Sequence, residues 1–280
     1  MENDPLVFLP MEKWHSLEEE FKSDWPRSIS GYCALKTQKE WEANGFGYGF
    51  KVYCPFGDVR NGMAALNIKD SFYEVFIQCP QDDTSKLEEA LKNTKLVNWA
   101  YQRLFVPVAP PHIFDMLQRL ANHFGKKFTP IYTDRFILDD EKPPFEVSLP
   151  PGTEFKRLSP EHAELVESKW PHRYAGAVDY VLMMIRANSA YGLFLKDQLV
   201  SWMLITEVGN FNNLYTLEDH RGKGYAEIVV KLVSNEMKRD NKHAFGFVVK
   251  GNVNSFNLFT KLGFTKEGYV NWCFLDTEDR

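Results

Sequence analysis

The 280-residue sequence predicts a two-domain α+β chain, and three observations carry that prediction. A charged, proline-rich stretch divides it near the middle. Runs rich in β-branched and aromatic residues, mixed with stretches of helical periodicity, lie on both sides of that divide. A glycine-containing turn, Arg221-Gly222-Lys223-Gly224, then joins an apolar strand to an amphipathic helix in the second half.

The dividing stretch reads Asp139-Asp140-Glu141-Lys142-Pro143-Pro144, then Leu149-Pro150-Pro151-Gly152, which cannot continue a helix or a central strand. It sets domains at 1–145 and 152–280. In the first, 46–53, 63–68 and 73–78 read as strands, since β-branched and aromatic residues alternate there between turn residues. Helices follow at 84–98, with Thr84 or Ser85 as cap, and at 111–124, where Pro111 suits a first turn and Gly125 ends the run. The aromatics Trp14, Trp25, Trp41 and Phe46 are expected in the core, given the area such side chains bury.

In the second domain 153–156 is a short strand, and Ser159-Pro160-Glu161-His162 opens a helix running to about Trp170, with Ser as cap and Pro in the first turn. A helix at 178–187 precedes strands at 191–195, 199–206 and 211–217, the first two joined through Lys196-Asp197-Gln198. Over 224–239, Ala226, Val229, Val230, Val233 and Met237 fall at helical spacing, while 244–249 is a short apolar run suited to a buried strand. A helix at 253–262 stops at Gly263, and 268–275 closes the sheet.

Composition narrows the function classes. A net charge of −5 and a pI near 5.9, with Lys and Arg scattered among acids, leave no basic footprint for nucleic acid. Cys33, Cys54, Cys79 and Cys273 lie too far apart for paired metal ligands and are too few for a disulfide scaffold, so they read as reduced thiols. Met1-Glu2-Asn3-Asp4-Pro5 has two acids and no basic lead into an apolar segment, and no apolar run approaches a membrane span. A cytoplasmic protein without a membrane partner is the expectation.

Leu217 to Ala226 places small residues between a strand and a helix N-terminus, where backbone N–H groups can approach an anion and the helix dipole adds roughly half a positive charge. A pyrophosphate suits that place. Gly222 and Gly224 supply backbone freedom, and Arg221 and Lys223 can add charge-assisted contacts. By itself such a glycine pair fits an ordinary turn equally well. The spacing matches neither a Walker loop nor the dinucleotide fingerprint.

It does resemble the Arg/Gln-x-x-Gly-x-Gly/Ala signature of the GNAT superfamily. A second segment, Asn252-Val253-Asn254-Ser255-Phe256-Asn257-Leu258-Phe259-Thr260-Lys261-Leu262-Gly263-Phe264, is similar to that superfamily's Asn-x-x-Ala-x-x-Leu-Tyr-x-Lys-x-Gly-Phe. Trp170, Ser201-Trp202, Gly209, Tyr215-Thr216-Leu217 and Asn271-Trp272-Cys273 narrow the resemblance to the glycine N-acyltransferase-like family. The resemblance implies a GNAT fold, a mixed and largely antiparallel sheet flanked by helices, preceded by a domain that is a degenerate copy of it. It also implies acetyl-CoA or another acyl-CoA as co-substrate, no metal, and a small-molecule amine acceptor such as glycine or another amino acid. Leu217, Arg221, Gly222, Lys223, Gly224, Tyr225, Ala226, Asn252 and Ser255 would hold the coenzyme. A mitochondrial setting enters by the same resemblance, although no clear presequence accompanies it.

Direct transfer is the implied reaction: a neutral amine attacks the thioester, amides near Leu217 hold the oxyanion, and a base removes the proton. Two positions depart from the family. Phe259 stands where the proton-donating Tyr would be, and Asn210, eleven residues before Arg221, stands where the family has a basic Glu. Three residues remain as catalytic candidates. Glu207 is otherwise a solvated turn residue, His220 a surface loop histidine, and Asn210 could act only through a water. Arg173, in the turn Trp170-Pro171-His172-Arg173-Tyr174, either pairs with an acceptor carboxylate or is a solvated cation. The competing classes are a non-catalytic acyl-CoA-binding module and a protein or peptide N-acetyltransferase.

Overall fold

The computed structural model describes residues 4–67 and 73–277. The chain divides into two units, one of Met1–Ala43, Gly47–Asp134 and Glu267–Arg280, the other of Asn44–Phe46 and Arg135–Lys266. In chain order, residues 6–137 and 153–277 run through the same succession of one strand, two helices, three strands, helix, strand, helix and strand. The expected mixed, largely antiparallel sheet flanked by helices is therefore present twice.

The first unit contains β1 (Leu6–Leu9), α1 (Trp14–Ser23), α2 (Ile29–Ala43), β2 (Lys51–Pro55), β3 (Met63–Asn67), β4 (Tyr73–Gln78), α3 (Ser85–Asn93), β5 (Arg103–Ala109), α4 (Pro111–His123) and β6 (Lys126–Ile137). Its strand order is β1-β2-β3-β4-β5-β12-β6, where β12 is Thr265–Thr277. β4 and β5 are parallel, whereas β1 through β4 run as an antiparallel meander. α4 buries Ile113, Met116, Leu117 and Leu120, spaced as one helical face, against Ile77, Leu104 and Val106 of the sheet.

Several expectations shift here for physical reasons. The helix expected to 98 ends at Asn93, because the Asp4 carboxylate accepts from the Thr94 hydroxyl at 2.7 Å and the Lys95 N–H at 2.8 Å and draws the chain away. The strand expected from 46 begins at Lys51, and Ile68 lies outside the described residues. Trp14 and Trp41 are core as expected, but Phe46 is only half-buried, and Trp25 is 38% exposed, set edge-on against Tyr32.

The second unit contains β7 (Thr153–Arg157), α5 (Ala163–Ser168), α6 (Ala177–Arg186), β8 (Ala190–Leu195), β9 (Gln198–Ile205), β10 (Phe211–Thr216), α7 (Tyr225–Arg239), β11 (Phe245–Val249) and α8 (Val253–Lys261). Strand order is β6-β11-β10-β9-β8-β7. Lys196 and Asp197, with φ of 49° and 66°, form a tight β8–β9 turn whose positive dihedrals suit the twist of the hairpin. α7 lays Val229, Val230, Val233 and Met237 on Val200, Met203 and Phe211.

The proline-rich stretch does not part the units. It is fastened within the second one, where Lys142 Nζ donates to the Gly263 carbonyl at 2.8 Å and the Phe145 backbone exchanges hydrogen bonds of 2.8 and 2.9 Å with the Asn235 carboxamide. The division instead falls at 134/135, inside β6, and 267–280 is counted with the first unit. Its reason is strand pairing: β12 is antiparallel to β5 from Asn271 opposite Ala109 to Asp276 opposite Arg103. The Arg103–Asp276 ion pair at 2.6 Å closes that register.

Candidate functional site

All the predicted site residues lie in the second unit, in the turn before β10, in the loop from Leu217 to Ala226 after it, and at the head of α8. β10 is antiparallel to β9, with a bulge between Asn212 and Tyr215 where Asn213 takes φ of 49°. On its other side the parallel ladder with β11 consists of Phe211 opposite Gly246. β10 therefore leaves β11 almost at once. Leu217 continues the β9 pairing, its N–H donating to the Val200 carbonyl at 3.0 Å. Of the amides near Leu217 expected to hold the oxyanion, that of Leu217 is engaged within the sheet. Alternation along the strand turns the Thr216 N–H to the opposite, β11-facing side.

After a single 3₁₀ turn at Glu218–His220, the loop reaches Gly222 and Gly224 with φ of 74° and 78°. A Cβ built at either meets no atom within 4 Å, so glycine is required there by dihedral and not by crowding. The Arg221 N–H reaches the Glu218 carbonyl at 3.2 Å, and the Ile228 N–H reaches the Gly224 carbonyl at 3.1 Å. Between them, the amides of residues 222–227 have no acceptor among the described residues. They lie at the N-terminus of α7, where residues 222–224 are exposed, 226 and 227 half-buried and Tyr225 buried, and the helix dipole adds to their positive field.

The loop's side chains are held in place by neighbours. Arg221 Nε donates to the Thr216 carbonyl at 3.1 Å, and its guanidinium lies 5.2 Å from the Tyr215 ring centroid. Lys223 Nζ donates to the Asp219 carbonyl at 3.0 Å. Glu218 accepts from the Tyr215 hydroxyl and faces Lys169 and Arg221, each at 3.5 Å. The Tyr215 hydrogen bond first, then a backbone hydrogen bond and these cations, bring the Glu218 carboxyl down to about 2. Tyr225 is buried and stacks on His220 at 6.3 Å. Asn252 caps α8 through its own Oδ1, which accepts from the Ser255 N–H at 3.1 Å.

At the other end of β10 stands the turn 206–210. Asn210 is 2% exposed, its Oδ1 accepts from the Thr206 hydroxyl at 2.6 Å, and its Nδ2 donates to the Phe211 carbonyl at 2.9 Å. The side chain braces the turn through one hydrogen bond at each of its two polar atoms. Glu207 is not a solvated turn residue: it is 5% exposed and accepts from the Tyr180 hydroxyl of α6 at 2.8 Å. Tyr180 in turn stacks on Trp170 at 5.7 Å and 18°. Sequence reasoning passed over Tyr180, which lies 27 positions from its partner and in no motif. Glu207 and His220 are not brought together, because all of β10 separates them, roughly 17 Å at about 3.3 Å per residue.

Phe259 is 5% exposed among Phe136, Phe211 and Phe264, with ring centroids 5.8, 6.2 and 4.9 Å away. It is a core residue. Arg173 is exposed in the turn after Trp170. No group of three His, Cys, Asp or Glu side chains among the described residues could hold a metal ion, and no described helix is long and apolar enough to cross a membrane.

Comparison with known proteins agrees with this architecture. Residues 190–273, from β8 into β12, match the family described as FR47-like protein. A Drosophila protein of known crystal structure superposes with a TM-score of 0.88 at 21% identity, covering 99% of this chain and all of that one. A tandem GNAT protein from the clavulanic acid biosynthesis pathway superposes at 0.55 with 11% identity over 98% of this chain and 99% of that one. A GCN5-related N-acetyltransferase from Sphaerobacter thermophilus gives 0.54 at 13% identity, covering 86% and 84%. No curated protein matches the chain. The fold is that of the GNAT acetyltransferases, in two units like the tandem protein.

Proposed function

We propose that this chain is an acyl-CoA-dependent N-acyltransferase acting on the amine of a small molecule, with glycine or another amino acid as the acceptor that its family resemblance brings forward. One observation carries the proposal: the unbonded amides of 222–227 at the head of α7, beyond a strand that has parted from its parallel neighbour. They fit a diphosphate, while the open side of β10 offers backbone groups to an extended amide-containing arm.

The pantetheine arm, extended like a peptide of four to five residues, reaches about 15 Å. β10 is nearly the same length, roughly 17 Å, so a diphosphate on the loop directs the thioester toward Phe211 and the turn 206–210. Acyl-CoA supplies an activated carbonyl with a good leaving group. In the balanced reaction the C–N bond forms, the C–S bond breaks, the amine loses a proton to a base, and CoA leaves as a thiolate that takes up a proton from solvent. Glu207 is the base, being a carboxylate at the thioester end of β10, whereas His220 stands at the diphosphate end and supports the loop through Tyr225. The Thr216 N–H and other amides on the β11-facing side of β10 are the donors to the substrate's carbonyl groups. Thiolate departs unassisted, since Phe259 offers no proton.

The test pairs calorimetric CoA binding with thiol release from acetyl-, benzoyl- and long-chain acyl-CoA across a panel of amines. Absence of CoA binding, with the melting temperature unmoved by the coenzyme, would defeat the proposal. The enclosed Asn210 carboxamide and the core position of Phe259 favour one rival, a module that binds acyl-CoA without turnover. It predicts binding with no thiol release for any amine.

A further inference from the structure

We infer that Tyr180 is a positioning residue for the acyl transfer: its hydroxyl, with its ring seated on Trp170, fixes the direction in which the Glu207 carboxylate takes the acceptor's proton. The inference rests on the acyl-transfer reading of the second unit and makes no demand on the acceptor beyond its amine.

Backbone and side chain of Glu207 are placed by separate contacts. The turn that carries it is closed by its own bonds: the Thr206 N–H donates to the Asn210 carbonyl at 3.0 Å, the Gly209 N–H to the Thr206 carbonyl at 2.8 Å, and the Val208 N–H to the Thr206 hydroxyl at 3.2 Å. These fix the backbone at 207 and leave the side-chain torsions beyond it undetermined. The Tyr180 hydroxyl, donating to Glu207 Oε2 at 2.8 Å, acts on those torsions. A carboxylate only 5% exposed has little water around it to do so.

Tyr180 is itself held. α6 buries Ala177, Val181, Met184 and Ile185, whereas Tyr180 is half-buried at the margin of that stripe. Packing of the helix therefore does not require a hydroxyl at 180. The Trp170 ring lies nearly parallel to that of Tyr180, at 5.7 Å and 18°, and Tyr174 meets Trp170 edge-on at 6.0 Å and 64°. Trp170 is fastened through its backbone, its N–H donating to the Glu167 carbonyl at 2.9 Å and its carbonyl accepting the Arg173 N–H at 3.2 Å. A ring stacked in this way has few orientations open to it, so its hydroxyl is aimed at one place. Displacing a reacting group by about 1 Å costs on the order of 100-fold in rate, and this series of contacts guards against that displacement.

The experiment measures thiol release by the full chain with acetyl-CoA and glycine, and with the fastest amine of the panel, for Tyr180→Phe, Glu207→Gln, the double variant, Trp170→Leu and Trp170→Phe. Tyr180→Phe keeps the ring and its stack, so the melting temperature should stay within a few degrees of wild type while kcat falls about 10- to 100-fold. KM for the amine and Kd for CoA should stay within about twofold, since the hydroxyl acts on the transition state and not on binding. The double variant falls no further than Glu207→Gln, to within about twofold, because the hydroxyl acts only through that carboxylate. Trp170→Phe, which keeps a ring face against Tyr180, loses less than Trp170→Leu. Wild-type kcat in Tyr180→Phe beside a slow Glu207→Gln overturns the inference and leaves the transfer reading standing, as does a double variant in which the two losses multiply. Wild-type kcat in Glu207→Gln overturns it by removing the base that Tyr180 would serve. Absence of thiol release from the wild-type chain with every amine defeats the transfer reading itself, and the inference with it.

Discussion

Substituting Gly222 and Gly224 together by alanine tests the coenzyme loop where its backbone geometry is most demanding. Both residues have φ near +75°, a region in which an L side chain costs roughly 1–2 kcal/mol, and neither built Cβ meets a protein atom within 4 Å. Steric conflict within the protein is thus absent. If the loop keeps its shape, the strain lowers the melting temperature by several degrees. If it relaxes, peptide planes rotate and the amides of 222–227 lose their common direction. Losing even two charge-assisted hydrogen bonds, about 1.5–3 kcal/mol each, weakens CoA by about 100-fold or more. Calorimetry with CoA and a thermal melt read the two effects separately. Gly125→Ala is the control, since Gly125 also has positive φ, at 60°, and open space around it, yet lies in the first unit after α4. It should lower stability and leave CoA affinity unchanged. CoA binding within twofold of wild type in a double alanine variant whose melting temperature has not fallen would refute the assignment of the loop.

Three further outcomes follow from the same geometry. Asn210→Glu, which installs the residue that glycine N-acyltransferases carry at the similar position, should destabilise the chain by about 2–4 kcal/mol in denaturant titrations, because it buries a charge and breaks two turn hydrogen bonds, and it should not raise turnover; a faster, equally stable variant would contradict the bracing role of Asn210. Glu218 favours its charged form in the folded chain, so its contribution is complete above its ordinary value of 4.5 and fades as pH falls from there through about 2; a carboxyl NMR midpoint near 4.5 would dismiss its contacts with Tyr215, Lys169 and Arg221. All four cysteines are buried, and burial pushes Cys54 and Cys273 up to about 12 and Cys79 up to about 11. Thiol reagents should leave the native chain unlabelled and react only on unfolding; rapid labelling of the folded protein would contradict that packing.

What the sequence conveys about this molecule is whatever local backbone chemistry determines. Gly222 and Gly224 are legible because positive φ demands glycine, Asn252 because it caps α8, and Ser159-Pro160 because the pair opens a helix. Positions decided by distant partners are not legible. Glu207 resembles any turn glutamate until Tyr180 of α6 is placed over it, and the Leu217 amide is removed from service by the register of β9. The assignment of β12 to the first unit depends on its pairing with β5, more than 150 residues away in sequence, as Arg103 and Asp276 show. α2 escapes a periodicity reading because it buries Ser30, Gly31, Thr37 and Gln38 together with Leu35 and Trp41, so no clean apolar stripe appears. β1 is four residues long with two exposed apolar side chains, which gives no alternation to detect.

Residues 6–137 and 153–277 share one succession of elements, yet their strand-to-helix junctions are chemically opposite. In the second, the junction after β10 has two glycines at positive φ and amides without acceptors. In the first, the corresponding junction after β4 reads Cys79-Pro80-Gln81-Asp82-Asp83-Thr84, without a glycine. Asp83 already accepts the Ser85 N–H at the head of α3, at 2.9 Å. Arg27 fills the space beside it, bonding Asp24 at 2.8 Å and the Pro80 carbonyl at 3.0 Å and pairing with Asp82. The strands also differ, for Gln78, 2% exposed, extends its amide to the Val108 carbonyl of β5 at 3.1 Å, linking β4 and β5 at their far end, whereas β10 leaves β11 after Phe211. A diphosphate at the first junction would meet two carboxylates and a helix end already satisfied by its own side chain, so the field that attracts an anion in the second unit is cancelled in the first. The same fold can therefore hold the coenzyme in one unit and exclude it from the other. A calorimetric stoichiometry above one CoA per chain would show this reasoning to be wrong.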